Sequence, residues 1–156
     1  MLKLDEFIPY RLSFTSNLVS ETISSAYEAL FGLTIPEWRL VAVIAENDGI
    51  TQQAIAERTR MDKVTVSRAA IALAARGLVG RQPNDGDRRS HRLILTGIGQ
   101  SLYAQVAPKA LELEARIFGS FDAGELAAFT AMLRKIDGVA LASDVAEQPG
   151  SHEDQA

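Results

Sequence analysis

The sequence predicts a mainly α fold carrying one small β-hairpin, and three observations support that class. Apolar residues recur at helical spacing through most of the chain. Two short helical patterns near its middle are separated only by Arg60 and Met61. A single pair of strand-like runs, LVGRQ and SHRLILT, flanks a turn at Pro83–Gly86.

Each element follows from local chemistry. Residues 7–31 place Phe14, Leu18, Ala26, Tyr27 and Leu30 at helical spacing, and Gly32 stops the run. Pro9 fits the first turn, where its missing N–H has no intrahelical partner to lose. Thr34-Ile-Pro-Glu37 reads as a capping box opening a second helix through WRLVAVIAEN, which Gly49 is expected to end. Thr51 caps QQAIAERT, and Asp62 caps KVTVSRAAIALAAR, which Gly77 terminates. Two helices joined by so short a turn must cross steeply, which is the helix-turn-helix arrangement.

The hairpin follows directly, with Asp87, Arg88 and Arg89 at its tip. Thr96 leads into a long helix over about 98–119, with Leu102, Val106, Leu113 and Ile117 along it. Pro108 lies inside this helix and predicts a kink or break. Asp122-Ala-Gly-Glu125 caps a last helix to about Arg134-Lys135, whose charges suit a C-terminal dipole. The tail, 143–156, has the composition of a disordered segment.

A helix-turn-helix followed by a two-stranded hairpin is a winged helix, here residues 34–97. The helices of 1–33 and 98–142 are too many to cover one small core, and read as a dimerisation layer. The expected class is therefore mainly α with a β-hairpin wing: a winged helix-turn-helix domain plus a helical dimerisation layer.

Composition narrows the function. The 156 residues, 47% hydrophobic and 23% charged, suit one soluble globular domain. No apolar run is long enough to span a bilayer, so no membrane partner is expected. The start, MLKLDEFIPYRLSF, lacks the cationic and apolar regions of a signal peptide, and a cytoplasmic protein is the simplest reading. With no cysteine there is no disulfide framework, thiolate metal site or thiol redox chemistry. His91 and His152 lie in the wing and the tail, so neither a His-pair metal site nor a Ser/His dyad is expected. Gly97-Ile-Gly99 lacks the rest of a phosphate-binding loop. No catalytic residue, metal or cofactor is expected.

The net charge is −4, but its distribution is uneven. From Arg58 to Arg92 stand eight Arg and one Lys against Asp62, Asp85 and Asp87, about +6, which leaves about −10 elsewhere. One basic module sits inside an acidic chain.

On the helix after Asp62, Val66, Ala69, Ala70 and Leu73 share one face and form its core side. The opposite side carries Val64, Thr65, Arg68, Ile71, Ala72 and Ala75, with Lys63 and Ser67 on the flanks. A purely structural helix would show Glu and Lys there. Small side chains with one valine and one arginine suit close approach to a surface, and the DNA major groove admits one helix. Thr65 and Ser67 reach bases or phosphates, Val64 meets a thymine methyl, and Arg68 forks onto guanine or clamps phosphate. The hairpin tip would then face the adjacent minor groove, which arginine is suited to enter. Asp87 is expected to accept from a neighbouring guanidinium and hold it extended. By itself the tip reads as an ordinary surface turn with a local ion pair; beside the helix-turn-helix it reads as a DNA contact.

The run AERTRMDKVTVSRAAIALAARGLVGRQPNDGDRRSHRLILTGIG resembles the MarR family of bacterial winged-helix regulators. It carries the Asp-capped recognition helix, the Arg-Gly-Leu-Val-x-Arg entry to the wing, the Asp-x-Arg tip and the closing Leu-Thr-x-x-Gly. The upstream LTIPEWRLVAVIAENDGITQQAIAERT is similar too. The resemblance covers about residues 7–138, specific over 54–99 and architectural outside it. It implies an obligate homodimer that presents two winged helices to a near-palindromic operator on double-stranded DNA. It implies Arg89 in the minor groove with Asp87 as its partner. It implies a transcription regulator, a repressor in many relatives, released by a small aromatic or phenolic ligand. Two-fold symmetry would bring both basic modules to one DNA face, so the global charge misleads.

Tyr10, Arg11, Phe14, Trp38 and Arg39 combine aromatic surface with cations and form a candidate effector pocket for an aromatic acid; core packing with surface arginine is the competing reading. For the whole chain, the alternative is a winged helix used for protein–protein contact, which should leave the outer helix face apolar and the wing uncharged; Arg68, Arg88 and Arg89 point the other way.

Overall fold

The structure, a computed structural model, describes residues 1–146. The polar segment 147–156, expected to be disordered, lies outside the described residues. After a short 3-10 turn at Leu4–Glu6, the elements run α1 (Ile8–Phe31), α2 (Ile35–Asn47), β1 (Ile50–Thr51), α3 (Gln52–Thr59), α4 (Lys63–Ala75), β2 (Val79–Asn84), β3 (Asp87–Leu95), α5 (Gly97–Phe118) and α6 (Ala123–Ala146). The chain divides into two compact units, residues 1–113 and 114 onward.

Local signals set the helix starts. Pro9 sits in the first turn of α1, and Gly32 caps its end at φ 62° in the left-handed region. At α2 the capping box is complete: the Thr34 hydroxyl accepts from the Glu37 N–H, and the Glu37 carboxylate accepts from the Thr34 N–H at 2.9 Å. Thr51 accepts from the Ala54 N–H at 3.2 Å, and Asp62 from the Thr65 N–H at 2.8 Å. Asp122 and Glu125 cap α6 reciprocally, at 2.8 and 2.9 Å.

The core of the first unit gathers side chains from every element that frames the hairpin. Leu33, Leu40, Ile44, Ile55, Val66, Leu73, Leu93 and Val106 are fully buried. Each contributes about 1.5–3 kcal/mol of apolar burial. The core face expected for α4 is the one observed: Val66, Ala69, Ala70 and Leu73.

Several expectations need correction. The sheet has three strands in the order β1-β3-β2, all antiparallel, because Ile50 and Thr51 pair with Leu93 and Arg92. Two residues between a helix and its cap are too few to signal a strand, so only a distant partner reveals β1. α2 ends at Asn47 with Asp48, not Gly49, as its left-handed cap; an aspartate tolerates that conformation. Pro83 lies within β2, where the register shifts, and the turn itself is Asp85-Gly86. α5 runs unbroken through Pro108. α6 continues to Ala146, past Lys135 and into the segment expected to be disordered, so Arg134 and Lys135 lie mid-helix and not at its C-terminal dipole. From Ile136 to Ala146 it holds three alanines and no proline to stop it.

The junction of hairpin and α5 explains the Leu-Thr-x-x-Gly run. The Thr96 hydroxyl donates to the Gly77 carbonyl at 2.6 Å and accepts from the Gly99 N–H at 3.1 Å, capping α5 while closing the hairpin. A Cβ at Gly99 would collide with the Leu78 carbonyl oxygen, so only glycine lets helix and strand approach this closely.

Candidate nucleic-acid interface

The interface is built from α4 and the hairpin. Asp62 fixes the start of α4 twice over, accepting the Thr65 N–H at 2.8 Å and the Thr65 hydroxyl at 2.7 Å. These bonds, the backbone N–H first, hold the Asp62 carboxyl below the usual carboxylate range. Lys63, Val64 and Arg68 are exposed, while Thr65 and Ser67 are half-buried. The Thr65 hydroxyl is already donated to Asp62, so toward a ligand it can only accept. Val64 and Ile71 remain 58% and 59% exposed on the same outer face as Arg68.

At the tip, Asp87, Arg88 and Arg89 are all exposed. Asp87 does not hold a guanidinium. Its carboxylate accepts the backbone N–H of Arg89 at 2.9 Å, and among the described residues no ion pair joins it to Arg88 or Arg89. An aspartate reaches the amide two residues on more readily than a long flexible side chain can be pinned. Asp87 therefore shapes the turn and leaves both guanidiniums extended from it. Asn84 and Ser90 brace the same turn, side chain to side chain, at 2.9 Å.

No hydrogen bond or ion pair within the described residues engages the charged heads of Lys63, Arg68, Arg88 or Arg89. Other cations of the basic stretch are engaged. Arg58 donates to the Asn47 side chain. Arg76 donates to the carbonyls of Gly32 and Phe31. Arg92 donates to those of Asp48 and Gly49. A cavity of about 370 Å³ between the start of α3 and the hairpin adds Gln52, Gln53, Arg81 and His91 to the polar surface beside Asp87. The sequence reading missed these four, since only the folded hairpin brings β2 and β3 against α3.

The effector candidates do not form one group within the chain. Tyr10 and Phe14 rings lie 6.0 Å apart, Arg11 sits 5.2 Å over the Phe14 ring, and Asp5 pairs with Arg11 at 2.9 Å. Trp38 instead packs on Tyr27, at 5.5 Å, and stacks on Tyr103, at 6.0 Å and 16°. Tyr27 is seventeen residues beyond Tyr10 on α1, about 25 Å along a straight helix. Arg39 is exposed. The partners that gather around Trp38, Tyr27 and Tyr103, come from α1 and α5 and were not foreseen as neighbours.

Comparison with known proteins agrees with this geometry. A MarR family profile matches residues 31–90, from the end of α1 to the wing. The transcriptional regulator HosA of Escherichia coli O157:H7 is 29% identical over 104 residues, covering 67% of this chain and 77% of the relative. The HTH-type transcriptional repressor NicR of Pseudomonas putida is 30% identical over the same length, covering 67% and 66%. Among solved structures, a MarR transcriptional regulator of Methanosarcina mazei Go1 is 29% identical with a TM-score of 0.76, covering 87% of this chain and 97% of its own. BpsR of Bordetella bronchiseptica, whose DNA binding is regulated by 6-hydroxynicotinic acid, shares the fold at 20% identity and a TM-score of 0.80, covering 88% and 97%. With its capped α4, hairpin wing and Thr96–Gly99 closure in place, the chain belongs to the MarR family of transcriptional regulators.

Proposed function

We propose that the protein is a homodimeric repressor that binds a near-palindromic operator, with α4 in the major groove and the hairpin tip in the adjacent minor groove. The observation that carries this reading is the set of unpartnered cations. Lys63 and Arg68 on α4 and Arg88 and Arg89 on the hairpin tip are exposed and have no hydrogen-bond or ion-pair partner among the described residues, which suits phosphates and base edges. Residues 34–97 are the DNA-binding part in this reading, and 1–33 with 98–142 the dimerisation part. Support for the latter is the exposed apolar side chains of α1 (Leu12, Phe14, Leu18) and of α6 (Phe129, Met132, Ile136, Val139). The α6 set recurs at spacings of three and four, as a helix facing a partner requires. A second copy is the occupant we propose.

Release by a small aromatic or phenolic acid is part of the proposal, in line with the ligand of BpsR. Trp38, stacked on Tyr103 and tilted against Tyr27, is the aromatic surface we assign to it, rather than the Tyr10–Phe14 group, where Asp5 already pairs with Arg11.

The test is a set of anisotropy titrations at several salt concentrations, on a duplex selected by the wild-type protein from a random pool and on a scrambled duplex. A preference for the selected duplex, with affinity falling steeply as salt rises, is expected. Arg68→Ala should relax discrimination by about 1–3 kcal/mol at one base pair per half-site. A monomer that ignores every duplex at low salt would overturn the reading, and capture of a protein partner by the same face would replace it.

A further inference from the structure

α1 ends at Gly32, whose left-handed conformation lets the N–H groups of Gly32 and Leu33 close onto the Glu28 and Tyr27 carbonyls, while the carbonyls of Phe31 and Gly32 lie beyond the reach of the helix's own donors. Both are taken by one side chain from far along the sequence. Arg76 Nη1 donates to the Gly32 carbonyl at 2.9 Å, and Nη2 to the Phe31 carbonyl at 3.0 Å. The planar fork of a guanidinium matches two adjacent acceptors, which a lysine ammonium does not. Its charge also sits where the negative ends of α1 and α4 both favour a cation.

Arg76 is the C-cap of α4, at the end opposite Lys63 and Val64. The same end of α1 is gripped by other elements. Tyr27, about one turn earlier, packs on Trp38 of α2, which in turn stacks on Tyr103 of α5. The last turn of α1 is thus a hub, and the Arg76 fork is its directional link to α4.

We propose that Arg76 is a positioning residue that sets the angle of α4 by tying its C-terminal end to the last turn of α1. This rests on the reading above, in which α4 meets DNA and α1 belongs to the dimerisation layer. The fork then relays the geometry of the dimer to the recognition helices and so helps set the distance between the two half-sites. Both of its terminal nitrogens are spent on carbonyls, so it acts without touching the duplex.

Arg76→Lys keeps the charge and loses the fork; Arg76→Gln loses both. Each is titrated as full-length dimer on the duplex selected by the wild-type protein and on versions with one base pair added or removed between half-sites. Sedimentation and circular dichroism check that each variant remains a folded dimer at the assay temperature. The expected result is about a tenfold loss of affinity in both variants, within the usual range for a coupling residue. The slope of affinity against salt should be unchanged, and the wild-type preference for one spacing should narrow. Lysine binding like wild type, while glutamine alone loses affinity with a slope shallower by about one, would make Arg76 a phosphate contact and overturn the proposal. So would wild-type affinity and spacing preference in both variants. If the wild-type protein selects no duplex, the DNA reading itself fails, an outcome distinct from failure of the strut alone.

Discussion

At the tip of the hairpin, Arg88 and Arg89 are exposed, and no partner engages their guanidiniums among the described residues. At its root, Arg92 in the same strand is half-buried and donates to the carbonyls of Asp48 and Gly49 at 3.1 and 2.9 Å. α4 repeats the contrast, with Arg68 unengaged on the outer face and Arg76 spent on the end of α1. These arginines are alike in sequence and differ in what they can still do. A guanidinium committed to main-chain carbonyls belongs to the frame; one without a partner keeps its donors for a ligand. The basic stretch from Arg58 to Arg92 is therefore two populations, and its net charge overstates the surface offered to a polyanion.

The strongest way to break that contrast is to disturb both populations at once. Gly99→Ala drives a Cβ into the Leu78 carbonyl, at the point where the hairpin leaves α4. The expected loss is on the order of 3 kcal/mol, read by thermal and urea denaturation, with DNA affinity lost alongside. A Gly99→Ala protein that melts like wild type would show that this junction is not as tight as described.

A sharper test separates the two populations. Arg89→Ala should leave the melting temperature unchanged while lowering affinity across operator variants, with an added loss over A/T-rich minor-groove positions and a shallower salt slope. Arg92→Ala should do the reverse: about 1 kcal/mol less stability, with affinity per folded dimer retained. Equal effects of the two variants on melting would erase the distinction between tip and root.

The smallest effect concerns the cap of α4. The folded Asp62 carboxyl lies below its ordinary value of 3.8, so it adds stability above that value. As pH falls through the lower folded value, protonation removes that contribution. Asp62→Ala should thus melt below wild type at neutral pH, and the gap should close in acid. A gap independent of pH would mean that the carboxylate charge contributes nothing to the cap.

Much of this architecture is legible in the chain because it is written in local chemistry. Thr34, Thr51, Asp62 and Asp122 each mark a helix start by a bond spanning three residues, and such bonds need no tertiary context. The core face of α4 follows from periodicity alone. What escaped was non-local or graded. β1 exists only because β3 lies beside it. Asp87 was expected to hold a guanidinium, and the backbone amide two residues away took its carboxylate instead. No proline lies between Lys135 and Ala146, so the length of α6 was underestimated.

Capping, periodicity and turn chemistry act over a few residues, so the order of helices, the hairpin between them and the family to which the chain belongs could be read before any folding. Which of the described cations are bound to the frame, and which keep their donors, emerges with the packed core. That division depends on carbonyls more than forty residues away, at Gly32 for Arg76 and at Asp48 for Arg92, which meet their guanidiniums only after the core has closed.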